Sequence, residues 1–157
     1  MSTLKVGTIQ DHANSNTAIS IDSSGRVTTP QLIAFMAQKT DGSGYSTSGA
    51  IPFNLTHLSH ASWNGSTFTA PIAGTYMFTI SGHMQSTSNS GFELAIYKNG
   101  AFAVSAYALN STSTRQRVQA TYLKALSVND TIDFRVLQGD AWVGAQSGVS
   151  VTGQLMG

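Results

Sequence analysis

Seven carboxylates and four imidazoles are the groups of this 157-residue chain best suited to acid–base or metal chemistry, because cysteine is absent. Glu93, the only glutamate, alternates with apolar neighbours, and the aspartates fall at positions 11, 22, 41, 130, 133 and 140. Asp133 and Arg135 are two apart and share one face of a strand, the spacing of an ion pair on a surface or between subunits. Asp22 and Asp130 sit in turn-like contexts. No spacing sets two carboxylates across a scissile bond as glycoside hydrolysis requires, so a non-enzymatic protein with no catalytic residue is expected. The imidazoles are His12, His57, His60 and His83. His57 and His60 have no helix to align them and no third ligand nearby, so no intrachain metal site is predicted. A threefold axis could gather three copies of His83, but an interfacial imidazole satisfied by hydrogen bonds is the simpler reading. The glycine-rich run 41–49 has no following Lys-Ser/Thr, so it is not a phosphate cradle, and no cofactor is predicted.

Such sparse chemistry must be positioned by strands, because the dominant pattern is twofold alternation. Tyr76, Phe78 and Ile80 alternate with Thr75, Thr79 and Ser81, and Phe92, Leu94 and Ile96 alternate with Glu93 and Ala95. Lys98-Asn99-Gly100 then closes a hairpin, since Asn-Gly tolerates positive φ. Strands are predicted near 32–38, 51–58, 67–69, 75–84, 92–98, 101–109, 115–126, 131–137 and 147–156.

These segments carry a family resemblance. FTAPIAGTYMF (68–78) resembles the aromatic signature of the globular head of complement component one, subcomponent q, which shares the tumour-necrosis-factor jelly roll. LAIYKNG, YLKALSVNDTIDFRV and SVTGQLMG resemble the later strands, so the resemblance covers about residues 31–157. It departs at Ala61 and Ile80, where larger or aromatic residues are usual, and at Asn129-Asp130, which replaces a Gly-Asp turn. The resemblance implies an all-β antiparallel jelly-roll sandwich of about ten strands, assembled as a homotrimer.

Composition points the same way. Only 10% of residues are charged and the net charge is +1, which excludes an electrostatic nucleic-acid binder. With 41% hydrophobic residues and few charges to keep sheet edges apart, burial of some surface in an oligomer is expected. No apolar run reaches the length of a signal peptide or a membrane span, so synthesis in the cytosol without export and no membrane insertion are expected.

The chain divides near Pro30. Residues 1–30 read as a short β-rich arm, and residues 31–157 as the head. The arm's strands LKVGTI and AISI…RVTT include a turn at Asp22-Ser23-Ser24-Gly25, and the arm is too small to bury a core alone. LKVGTIQ followed by AISIDSSGRV resembles N-terminal segments of virion structural proteins of tailed bacteriophages, particularly those of marine hosts. That resemblance implies an arm that docks on other virion proteins, in a particle assembled in the host cytoplasm and released by lysis.

Loop lengths orient the head. Successive antiparallel strands place their connections alternately at opposite ends. The tight turns 71–74, 98–100 and 127–130 alternate with the long polar segments 85–91, 110–114 and 138–146, with 39–49 joining the long set. The long segments should crown one end, where Tyr45, Ser86, Ser88, Asn89, Asn110, Ser111, Thr112, Arg115, Asp140 and Trp142 are candidate contacts to a host cell-surface glycan or protein. An aromatic ring can stack on a sugar while amides and hydroxyls bond its hydroxyls. Met77, Tyr97, Tyr122 and His83 are candidates for the trimer interface, their facing set by a register that a one-residue slip would reverse. The chain is therefore expected to be a tail-fibre or tail-tip component with a receptor-binding head. A capsid decoration or knob of purely structural role, and an extracellular lectin or cytokine-like module, are the alternatives.

Overall fold

The structure, a computed structural model, describes residues 5–10, 12–13, 17–29, 32–41, 49–83, 91–109, 116–139, 141 and 148–156. These residues contain no helix, and the chain separates into two compact units, Met1–Ile33 and Ala34–Gly157, three residues beyond the boundary expected at Pro30.

The first unit is a three-stranded antiparallel sheet of β1 (Thr8–Gln10), β2 (Thr17–Ile21) and β3 (Val27–Thr28) in that order. Its second turn is specified locally. Asp22 Oδ1 accepts hydrogen bonds from the backbone N–H groups of Ser24 and Arg26 (2.9 Å each), and its Oδ2 accepts from Arg26 Nε (2.7 Å). Gly25 supplies the positive φ of 76° that the turn needs.

The second unit contains β4 (Ala34–Lys39), β5 (Leu55–Leu58), β6 (Thr67–Thr69), β7 (Gly74–His83), β8 (Phe92–Lys98), β9 (Ala101–Ala108), β10 (Arg117–Leu126), β11 (Thr131–Gln138) and β12 (Val149–Leu155). They form a five-stranded sheet, β10-β7-β12-β4-β5, and a four-stranded sheet, β6-β11-β8-β9, with every pairing antiparallel. The predicted β6 and β8 coincide with the observed strands, and most others differ by one or two residues at their ends. Only β5 is much shorter than expected. Its upstream residues Ile51 and Phe53 anchor irregular chain instead, bonding their N–H groups to Phe134 O and Gly65 O (2.8 Å each).

Alternation turns one side of each sheet inward. Tyr76, Phe78 and Ile80 of β7 and Phe35 and Ala37 of β4 meet Phe68 of β6, Phe92, Leu94 and Ile96 of β8, and Ile132, Phe134 and Val136 of β11, all buried. The rings interlock across the layers. Phe35 stacks on Trp63 at 4.2 Å between centroids, and Phe134 meets Phe35, Phe53 and Trp63 edge-on, each at 6.2 Å. Gly153 of β12 allows this, because a Cβ there would lie 2.2 Å from the Phe35 ring and 2.7 Å from Phe78.

Candidate recognition surface

The register places every strand end that leads into a long connection at one end of the head. His83 pairs with Arg117, Lys39 with Val149, Phe92 with Ala108, and Glu93 with Gln138. The two layers converge there. A Cβ on Gly82 would touch both Leu94 and Val149 at 3.1 Å, and one on Gly139 would lie 2.6 Å from Gly91 O. The base of this end is braced by polar ties. Lys39, 8% exposed, pairs with Asp41 at 2.6 Å, and its ammonium holds the Asp41 carboxyl below its ordinary pKa. Asn54 Oδ1 accepts from Thr40 N (2.8 Å) and Asn54 Nδ2 donates to Thr40 Oγ1 (3.1 Å), while Ser81 and Ser150 hydroxyls bond at 2.9 Å. The ten candidate crown residues, Tyr45, Ser86, Ser88, Asn89, Asn110, Ser111, Thr112, Arg115, Asp140 and Trp142, lie outside the described residues.

The opposite end is closed by the tight turns. Asn99 and Asn129 adopt positive φ of 51° and 68°, as the turn chemistry of both residues predicts. Asp130 ties two of these turns together. It accepts from Asn99 Nδ2 (2.7 Å) and Ser127 N (2.8 Å) and pairs with Lys98 at 2.8 Å. These bonds, led by that from Asn99, lower the Asp130 carboxyl to about 2. The Tyr76 hydroxyl donates to Ile72 O (2.9 Å) beneath the neighbouring turn, and burial raises its pKa. Leu155 pairs with Tyr76 and Met156 N bonds Thr75 O at this same end, which is also where the chain enters the head at Ala34, opposite Gln154.

The two outer sheet faces differ in chemistry. The strands of the five-stranded sheet contain no aspartate or glutamate, and its outer face carries Met77, Thr79, Ser81 and His83 of β7 beside Leu123, Thr121, Gln119 and Arg117 of β10. The outer face of the four-stranded sheet carries both strand acids, each already engaged. Asp133 accepts from Arg135 Nε and Nη2 (2.5 and 3.0 Å), which is the ion pair that the spacing predicts, and this carboxylate raises the Arg135 pKa. Glu93 accepts from Ser105 Oγ at 2.5 Å. Asp133 lies opposite Tyr97, four positions along β8 from Glu93, so the two acids are about 13 Å of strand apart, beyond the separation of a glycosidase pair. Arg135 lies 3.9 Å over the Tyr97 ring, which meets the exposed Phe102 edge-on at 5.9 Å.

The four interface candidates therefore do not share one surface. Met77 and His83 face outward from the five-stranded sheet, Tyr97 faces outward from the four-stranded sheet, and Tyr122 pairs with Phe78 and shares the inward side of β10 with Val118 and Ala120. Among the described residues no cluster of three His, Asp or Glu is arranged for a metal, and His57 and His60 bond Gln38 (3.2 Å) and Ser62 (2.7 Å) respectively. The Trp63 stack went unpredicted, since no alternating pattern surrounds that residue and it belongs to no strand, its β-pairing being an isolated bridge to Phe68. The Arg135–Tyr97–Phe102 cluster was likewise hidden by a bulge between Ile96 and Tyr97.

Two antiparallel sheets, with the first and last strands of the head paired within one of them, define a jelly-roll sandwich. The C1q domain model matches residues 34–156, and the chain belongs to that family. Solved structures with the same fold include the globular domain of zebrafish complement 1qA (TM-score 0.65, 18% identity, covering 81% of this chain and 98% of that one). Eiger TNF from S. frugiperda follows (0.61, 11%, 79% and 92%), as does murine APRIL (0.61, 7%, 80% and 100%). Among curated protein sequences none matches.

Proposed function

We propose that the chain is a non-enzymatic structural component of a bacteriophage particle, at a tail fibre or tail tip. In this reading a homotrimeric head presents its loop end to a host cell-surface glycan or protein, and the arm docks on other virion proteins. The observation that carries it is the segregation of connections. The ends of all the long segments gather at one end of a rigid sandwich, and the tight turns and the entry from the arm take the other. The arm's resemblance to phage virion segments supports the particle, and the outer face of the five-stranded sheet supports self-association, since apart from Arg117 at its loop end the rows of β7 and β10 there carry no fixed charge to oppose a second copy. Light scattering on the purified chain tests the assembly: a mass near three times 16.5 kDa is expected, and a monomer would remove the trimer. Adsorption tests the role. Purified protein should bind host bacteria and block infection, while a protein that does neither would have a decorative role instead.

A further inference from the structure

The arm's register sorts its side chains by polarity. Ile9 pairs with Ile19 and Ile21 with Val27, and because Ile19 and Ile21 are two apart on β2, all four project from the same face of the three-stranded sheet. Thr8 and Ser20 pair on the other face. Among the described residues of the arm no second layer covers the apolar face. Ile9 is 50% exposed, Ile21 39% and Val27 64%, and no described residue of β1, β2 or β3 is buried. The turn that creates this face is nonetheless fully specified by Asp22, Gly25 and Arg26. A locally determined sheet with one uncovered aliphatic face is half of a two-layer structure, and a unit of this size does not hold such a face in water alone.

We propose that the apolar faces of three arms pack against one another about the trimer axis, so that Ile9, Ile19, Ile21 and Val27 of each copy form one shared core. This rests on the trimeric reading of the head. Copies of the chain fit this face better than a different protein for two reasons. The paired rows of the face carry no charge, and the acidic and basic groups of the neighbouring turn, Asp22 and Arg26, are spent on each other, so the face itself offers no charge by which to select a foreign partner. Three arms tethered to one trimeric head also meet at high effective concentration, so weak aliphatic contacts suffice. Stiff β-branched side chains lose little rotamer freedom on packing, which suits a small shared core. Docking on other virion proteins would then fall to the outer, polar face of a trimeric stalk.

The chain has no cysteine, so single-cysteine variants report contacts cleanly. Full-length Ile21→Cys, Val27→Cys and Thr8→Cys proteins would be sized by light scattering, treated with a short bismaleimide and resolved on a denaturing gel. The expected result is a trimeric mass for all three, with a covalent dimer forming several-fold faster at Ile21→Cys and Val27→Cys than at Thr8→Cys. A trimer in which no position links, or all three link equally, would overturn the shared core while leaving the trimeric head intact. A monomeric mass would overturn the trimer reading itself, and the shared core with it. Amide exchange in the unsubstituted chain is the second measurement: slow exchange at Ile19 and Ile21 is expected, and exchange at the rate of an unstructured peptide would overturn the proposal even if a cysteine variant failed to fold.

Discussion

Head and arm are built from the same β-sheet grammar, yet one closes on itself and the other does not. In the head two layers interlock rings, so that Phe78, Phe92 and Phe134 are wholly removed from water. In the arm the turn is just as well determined, but Ile9 and Val27 remain at least half exposed. The difference teaches that hydrogen-bonded turns and strand pairing specify a local shape, and that a second layer is what supplies hydrophobic stabilisation.

The comparison can be broken most severely in the head. Phe134→Ala removes the ring on which Phe35, Phe53 and Trp63 converge, and should cost about 3–5 kcal/mol in urea unfolding; a loss below about 1 kcal/mol would mean that the layers do not depend on this contact. Gly153→Val forces atoms into the space of the Phe35 ring and should cost about 1–3 kcal/mol, with unchanged stability showing that the sheets can part freely. Third in size is a pH effect. Folding holds the Asp130 carboxyl at about 2, below its ordinary value of 3.8, so its bonds stabilise the head above about pH 4 and are lost as pH falls towards 2. Melting temperatures of the native chain and Asp130→Asn should therefore converge on acidification, and parallel curves would show that other carboxylates set the acid limit. The smallest effect on the head should come from the arm. Removing residues 1–30, or breaking the turn with Asp22→Ala, should leave the head's melting temperature within error; a marked fall would show that the two units do not fold independently.

Much of the head was legible because alternation and turn chemistry act locally. Asn99-Gly100 announced a hairpin that the positive φ values realise, and Phe92–Lys98 could be bounded from its own apolar rhythm. What was not legible depends on partners distant in sequence. Tyr122 looks like a surface aromatic until β10 is set against β7, where it falls opposite Phe78. Ala61 departs from the usual family pattern, and the aromatic that fills the core of that region is Trp63, two residues on, held against Phe35 from another strand. The arm's division into faces was equally hidden, since it takes the register to set Ile9 against Ile19 and Ile21 against Val27. Of the site, the end at which the long segments gather could be read from connection lengths, while the bracing of Lys39 by Asp41 and of Thr40 by Asn54 required the fold.

The uneven placement of rings also governs how the molecule reports on itself. Residues 1–33 contain no phenylalanine, tyrosine or tryptophan, whereas Trp63 is held 6% exposed against Phe35. Among the described residues its indole N–H finds no hydrogen-bond partner, so its emission should be blue-shifted while the sandwich is closed and move red when the layers separate. Ultraviolet absorption, near-ultraviolet dichroism and intrinsic fluorescence thus all see the head, and the arm is optically silent in all three.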